Sequence, residues 1–215
     1  INISKSQEAF KWVILFSSFL IAIVGILVQF LMKIKGEIEL NISSSLNSPV
    51  NIKSVIKTPS VYLLMIIIMS AYVGYKLTDI YSLYASDVMF YGQIQAAKVG
   101  ALQQYLRPIV CVMFGLIADK TNSVYLIIIG FIIMLIGASI FASGIIQSNM
   151  NYLFFISLII LGVGTYAVRA LYFSVFQEGK ISLSITGTAV GVISLVGYTP
   201  DIFVTPFIGY LIDTY

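Results

Sequence analysis

Long apolar runs, separated by short polar stretches, extend through this chain of 215 residues. A membrane-crossing helix needs about 20 predominantly apolar residues. Six stretches qualify, at about 11–32, 60–80, 94–117, 123–145, 151–176 and 184–211. One longer polar segment, Lys33 to Thr58, rich in Asn, Ser and Lys, follows the first of them. The pattern predicts a lone span (residues 1–32), a connecting loop (33–59) and a bundle of five further spans (60–215). Because the chain starts at Ile1 without a methionine and stops where another helix is expected, it reads as a fragment of a longer protein.

The runs also repeat. Gly115-Leu-Ile-Ala-Asp119 and Gly209-Tyr-Leu-Ile-Asp213 each close an apolar segment, 94 residues apart. Eight residues before each glycine lies a charge beside a proline, Arg107-Pro108 in one copy and Pro200-Asp201 in the other. The period corresponds to three spans. A unit with an odd number of spans reverses its orientation in the bilayer, and inverted repeats are characteristic of secondary transporters.

Composition narrows the classes. The chain is 59% hydrophobic and 10% charged, with a mean hydropathy of +1.00, whereas a soluble domain carries about 25% charged residues. It therefore belongs in a lipid bilayer. A net charge of +3 without a basic cluster argues against nucleic acid as a partner. The single Cys111 and the lack of histidine exclude a disulfide framework, a His-ligated metal and a His-based triad. No phosphate loop or dinucleotide fingerprint is found, so neither an enzyme nor a cofactor is expected. Lys33, Lys35, Lys53, Lys57, Lys120 and Lys180 share one side of the six-span arrangement, against Lys5 and Lys11 on the other. The positive-inside rule then makes loop 33–59 cytoplasmic, which discounts the glycosylation pattern at Asn41-Ile-Ser43.

Charges inside spans carry the functional signal. An ionised side chain at the centre of a transmembrane helix costs about 3 kcal/mol, so it marks a protein interior or a water-filled cavity. Segments 12–32 and 123–145 have none and are expected outside, against lipid. Arg107 and Asp201 each lie 12 residues from the aspartate ending their helix, or ~18 Å into a core ~30 Å thick. That depth, with Pro108 and Pro200 as weak points, favours a solute site in which Arg107 holds an anion and Asp201 takes a proton or receives the arginine. The structural alternative is a static Arg107–Asp201 pair. Arg169 is expected to snorkel to the interface or hold a cytoplasmic loop closed with Glu178, the alternative being solute contact. Lys76 and Lys98 fall toward outer helix ends, but Lys76 shares its stretch with Tyr72, Tyr75 and Asp79, a cluster able to line an outer mouth. Tyr105, Tyr166 and Tyr172 lie deeper on charged helices and Tyr62, Tyr125 and Tyr152 at helix ends, the latter as interfacial anchors. Gly162, Gly164, Gly187, Gly191, Gly115 and Gly209 are expected to let helices pack closely, the alternative being a rocking hinge, and Asp119 is expected to cap the helix that follows it.

The phrase Gly115-Leu-Ile-Ala-Asp-Lys120 resembles the loop motif G-x-L-A-D-[RK]-x-G-[RK]-[RK] of the major facilitator superfamily, with Ile117, Asn122, Ser123 and Val124 departing from it. The tract from Arg169 through Gly187-Thr-Ala-Val-Gly191 to Phe203 is similar to bacterial permeases of that superfamily, so the chain resembles their sixth to eleventh helices. The resemblance implies an all-α integral membrane bundle with inverted three-helix repeats in the cell (inner) membrane, and an N-terminal bundle outside this sequence. It implies a secondary transporter that moves a small polar, anionic organic solute by alternating access, coupled to a proton or a counter-solute. Arg107, Asp201, Lys76, Tyr105 and Tyr72 are then the candidate solute contacts. Gly115, Asp119, Lys120, Arg169, Glu178, Gly209 and Asp213 are the candidate gating or structural set. The alternative is a non-transporting scaffold or sensor on the same fold.

Overall fold

The computed structural model describes residues 3–39, 52–179 and 183–214, and among these every regular element is helical. In hydrocarbon each backbone N–H and C=O must find its partner within the segment, which leaves helices as the form open to such apolar runs. The elements are α1 (Ile3–Glu39), α2 (Ile52–Ile56), α3 (Pro59–Leu77), α4 (Tyr81–Asp87), α5 (Gln93–Ala118), α6 (Ser123–Ala142), α7 (Asn151–Leu171), α8 (Val175–Glu178), α9 (Leu183–Gly197) and α10 (Pro200–Thr214). Six helical stretches are long and apolar enough to cross a bilayer: Lys11–Gln29, Pro59–Asp87, Gln93–Ala118, Ser123–Ala142, Asn151–Leu171 and Thr186–Ile212. They coincide with the six predicted spans to within several residues. The chain is an all-α, multi-pass membrane protein.

It divides into two compact units, Ile1–Pro49 and Val50–Tyr215. In the first, α1 continues to Glu39, past the predicted end at residue 32. Its residues 11–29 are exposed throughout. The glycosylation pattern and most of the predicted loop fall outside the described residues.

In the second unit α7 is the central element. More than half of its span is buried, including Phe154, Leu158, Leu161, Tyr166 and Val168, and it packs against α5, α6 and α3. The α6 contact is the most extensive. A methyl group at Gly164 would overlap the backbone of Met134, and one at Gly137 would crowd the Leu161 backbone, so α6 and α7 approach as closely as backbones allow. Gly162 is equally tight, against Gln103 and Leu106 of α5. Gly115, Gly187, Gly191 and Gly209 meet nothing within 4 Å among the described residues. They sit on the open sides of α5, α9 and α10, whose other faces supply core residues such as Val99, Ala189 and Ile193.

Three further departures follow from local chemistry. The second span does not stop near residue 80: α3 tightens into a 3-10 turn at Thr78–Ile80 and resumes as α4, so the span runs to Asp87. Pro108 lies inside an unbroken α5, whereas Pro200 opens α10 and leaves a break at Tyr198–Thr199 in the middle of the sixth span. Proline suits the first turn of a helix, where its missing N–H costs nothing. Finally, Asn122 and not Asp119 caps α6, its side-chain oxygen accepting from the N–H groups of Val124 (2.9 Å) and Tyr125 (3.3 Å). Asp119 ends α5 one turn too early to reach them.

Candidate functional site

Tyr72, Tyr75 and Lys76 occupy positions i, i+3 and i+4 of α3 and therefore share one face. That face looks onto the break between α9 and α10. The Tyr72 ring meets Tyr198 edge-on, with centroids 4.9 Å apart. Across the break the helical ladder tightens, with Asp201 N–H bonded to Tyr198 O (3.1 Å) and Ile202 N–H to Thr199 O (2.9 Å). This places Asp201 in the first turn of α10, where a carboxylate complements the helix dipole.

The Asp201 carboxylate takes two partners from α3. Lys76 Nζ lies 2.7 Å from Oδ1, and the Tyr72 hydroxyl donates to Oδ2 at 2.7 Å. Asp79, carried back toward Lys76 by the 3-10 turn, sits 3.5 Å from the same ammonium. The turn is held by Thr78, whose hydroxyl donates to the Tyr75 carbonyl at 2.7 Å. Beside Lys76 and Asp79 a cleft of about 310 Å³ opens toward α10, walled by Leu83, Thr205, Ile208 and Gly209.

Two arginines converge on the same tyrosines. The Arg169 guanidinium stacks 3.7 Å from the centroid of Tyr75 and 5.2 Å from that of Tyr72. Arg107 stands 5.7 Å from the Tyr75 centroid. A desolvated cation over an aromatic face gains on the order of 2 kcal/mol, which makes Tyr75 a shared seat for two like charges. Among the described residues neither guanidinium has a carboxylate partner, and Nη1 of Arg169 is buried without a hydrogen-bond acceptor. Three cations thus face two carboxylates, leaving the cluster positive.

Of the predicted solute contacts, Arg107, Asp201, Lys76 and Tyr72 are brought together, and Tyr105 is not. Tyr105 is 72% exposed on α5. Lys76 does not end its helical span, which continues to Asp87. The Arg107–Asp201 pair does not form among the described residues; Asp201 is taken by Lys76 and Tyr72 instead. Arg169, expected at a cytoplasmic loop, joins the cluster through Tyr75 and Tyr72. Helical side chains lean toward the N-terminus, so its guanidinium reaches back into the bundle although its Cα lies in the last turn of α7. Gly209 lines the cleft, while Gly115, Asp119 and Lys120 lie at the far end of α5, away from the cluster. The side chains of Glu178 and Asp213 fall outside the described residues. Tyr198 is the contact with no signal in the sequence, since it enters through the helix break.

Two curated relatives are similar to this chain. Over 211 residues, 95% of this chain and 50% of the relative, it is 26% identical to the inner membrane protein YihN of Escherichia coli K12. Over 57 residues, 26% of this chain and 13% of the relative, it is 42% identical to the inner membrane protein YqcE of the same organism. The chain spans half or less of the length of each. No protein-family model matches it, and no solved structure does. With six span-forming helices and two inner-membrane relatives, the chain is a multi-pass inner-membrane protein.

Proposed function

We propose that the full-length protein is a secondary transporter of the major facilitator type, a permease that moves a small anionic organic solute by alternating access, and that this chain carries one half of its site. The observation that carries the reading is the pair of guanidinium groups on Tyr75 with no carboxylate partner among the described residues. A planar guanidinium offers a fixed fork of donors that fits a carboxylate or phosphate. Uncompensated charge deep in a bundle is costly, so its retention is accounted for by a ligand of opposite sign. The position supports the reading too. Transporter sites lie near the midplane, where helices are interrupted, and the cluster sits against the break at Tyr198–Thr199 and the 3-10 turn at Thr78–Ile80. The repeated Gly115–Asp119 and Gly209–Asp213 phrases and the motif around Asp119 support the family.

In this reading Arg169 and Arg107 grip the anionic group, and Lys76 and Tyr72 contact it from α3. The cleft along α10 takes the remainder of the solute. The partner bundle contributes the opposite wall, and a proton or counter-solute drives the cycle. The test is a ligand-stabilisation screen on the full-length protein, with carboxylates and phosphate esters set against neutral and cationic analogues. Uptake of the hits into proteoliposomes follows. Arg169→Lys and Arg107→Lys, which keep the charge and lose the fork, are each expected to weaken the solute about tenfold or more. Stabilisation by neutral or cationic compounds alone, or uptake indifferent to both changes, overturns the proposal.

A further inference from the structure

We infer that Asp201 is a resident counter-anion: it occupies the Lys76–Tyr72 end of the site when no solute is bound, and the solute's negative group displaces it. The inference rests on the anionic-solute reading above and reverses the role expected of Asp201, from solute contact to competitor.

The geometry argues for it in three steps. First, the carboxylate holds the two groups that an incoming anion seeks, the ammonium of Lys76 and the hydroxyl of Tyr72, each at 2.7 Å. These are charge-assisted distances, and an incoming anion has to compete with Asp201 for the same donors. Second, the pair is open on the carboxylate's side. The Asp201 side chain is 44% exposed and that of Lys76 only 20%. A half-exposed ion pair is weak because solvent screens it, so an anion that also reaches Arg169 and Arg107 competes with it successfully. Third, Lys76 keeps a neighbour when Asp201 leaves, because Asp79 stays 3.5 Å away. Asp201 leaves with α10, which the break at Tyr198–Thr199 separates from α9. Exchange of one carboxylate for another therefore leaves Lys76 compensated throughout and ties solute entry to a shift of the half-helix.

Two roles for Asp201 predict opposite results. If it contacts the solute or supplies a needed charge, Asp201→Asn weakens anion binding. If it competes, Asp201→Asn strengthens it. The experiment titrates sulfate into the full-length protein by isothermal calorimetry, at constant ionic strength in chloride, for wild type, Asp201→Asn, Arg169→Gln, Arg107→Gln and the double change Asp201→Asn with Arg169→Gln. Asp201→Asn is expected to bind sulfate about fivefold more tightly than wild type, and the double change to lose that gain. In the wild type, sulfate is expected to raise the reaction of Asp201 with a water-soluble carbodiimide, read by peptide mass spectrometry, because displacement frees the carboxylate. Unchanged or weaker sulfate binding by Asp201→Asn, while the two arginine changes weaken it, sinks the competitor role and leaves the anion site standing. Sulfate binding indifferent to both arginine changes sinks the anion site and this inference with it. Should Asp201→Asn not fold, the labelling decides, and reactivity that stays level or falls with sulfate overturns the inference.

Discussion

Tyr75 shows how a single ring organises charge inside a bundle. Arg169 and Arg107 approach from α7 and α5, and the ring lies within reach of both guanidinium groups. A phenyl face serves as well as a phenol face for this purpose, so Tyr75→Phe is expected to keep solute affinity within about twofold of wild type. Tyr75→Leu removes the seat and is expected to lower affinity about tenfold, at nearly unchanged expression. Binding measurements on the two variants check this, and equal losses would assign the effect to the hydroxyl. Parts of the cluster were legible in the sequence. Arg107 and Asp201 announce themselves as charges at mid-span, and Tyr72, Tyr75 and Lys76 by helical spacing. Arg169 was not, since its Cα sits near a helix end and only the backward lean of the side chain brings it in. The Lys76–Asp201 pairing was hidden as well, because partners 125 residues apart in sequence meet through a packing of α3 on α10 that no local pattern encodes.

At the level of elements, the bundle combines a fixed pair with interrupted helices. Gly164 and Gly137 bring α6 and α7 into backbone contact, and such an interface has no slack. Gly164→Ala is expected to destabilise the protein by about 1–3 kcal/mol, read as a lowered melting temperature in detergent. Gly187→Ala, on the open side of α9, is expected to leave it unchanged. Hydropathy located all six spans because length and apolarity alone define them. It did not tell the tight glycines Gly162 and Gly164 from the open ones, since a small residue reads the same in sequence whether a neighbour is present or not. Proline was equally ambiguous: Pro108 is absorbed within α5, while Pro200 starts a new helix, and what separates them is the context on either side.

For the whole molecule, six spans define the class, and the lysine distribution predicts its sidedness. Thr121, in the α5–α6 turn, and Ser148, before α7, are exposed at opposite ends of the bundle. With Cys111 replaced, a cysteine at Ser148 is expected to react with an impermeant reagent in intact cells and one at Thr121 only after permeabilisation; the reverse pattern would invert the topology. Charge bookkeeping along the chain also has a consequence for assembly. The ribosome makes Lys76 long before Asp201, so the span Pro59–Asp87 must enter the membrane while its eventual partner does not yet exist. Asp79, one turn away and 3.5 Å from the ammonium, is made with it. It is the partner available during insertion, a built-in escort that shares the lysine once Asp201 arrives. Loss of Asp79 should therefore show first as a lower yield of inserted protein, and only afterwards, if at all, in the behaviour of the finished fold.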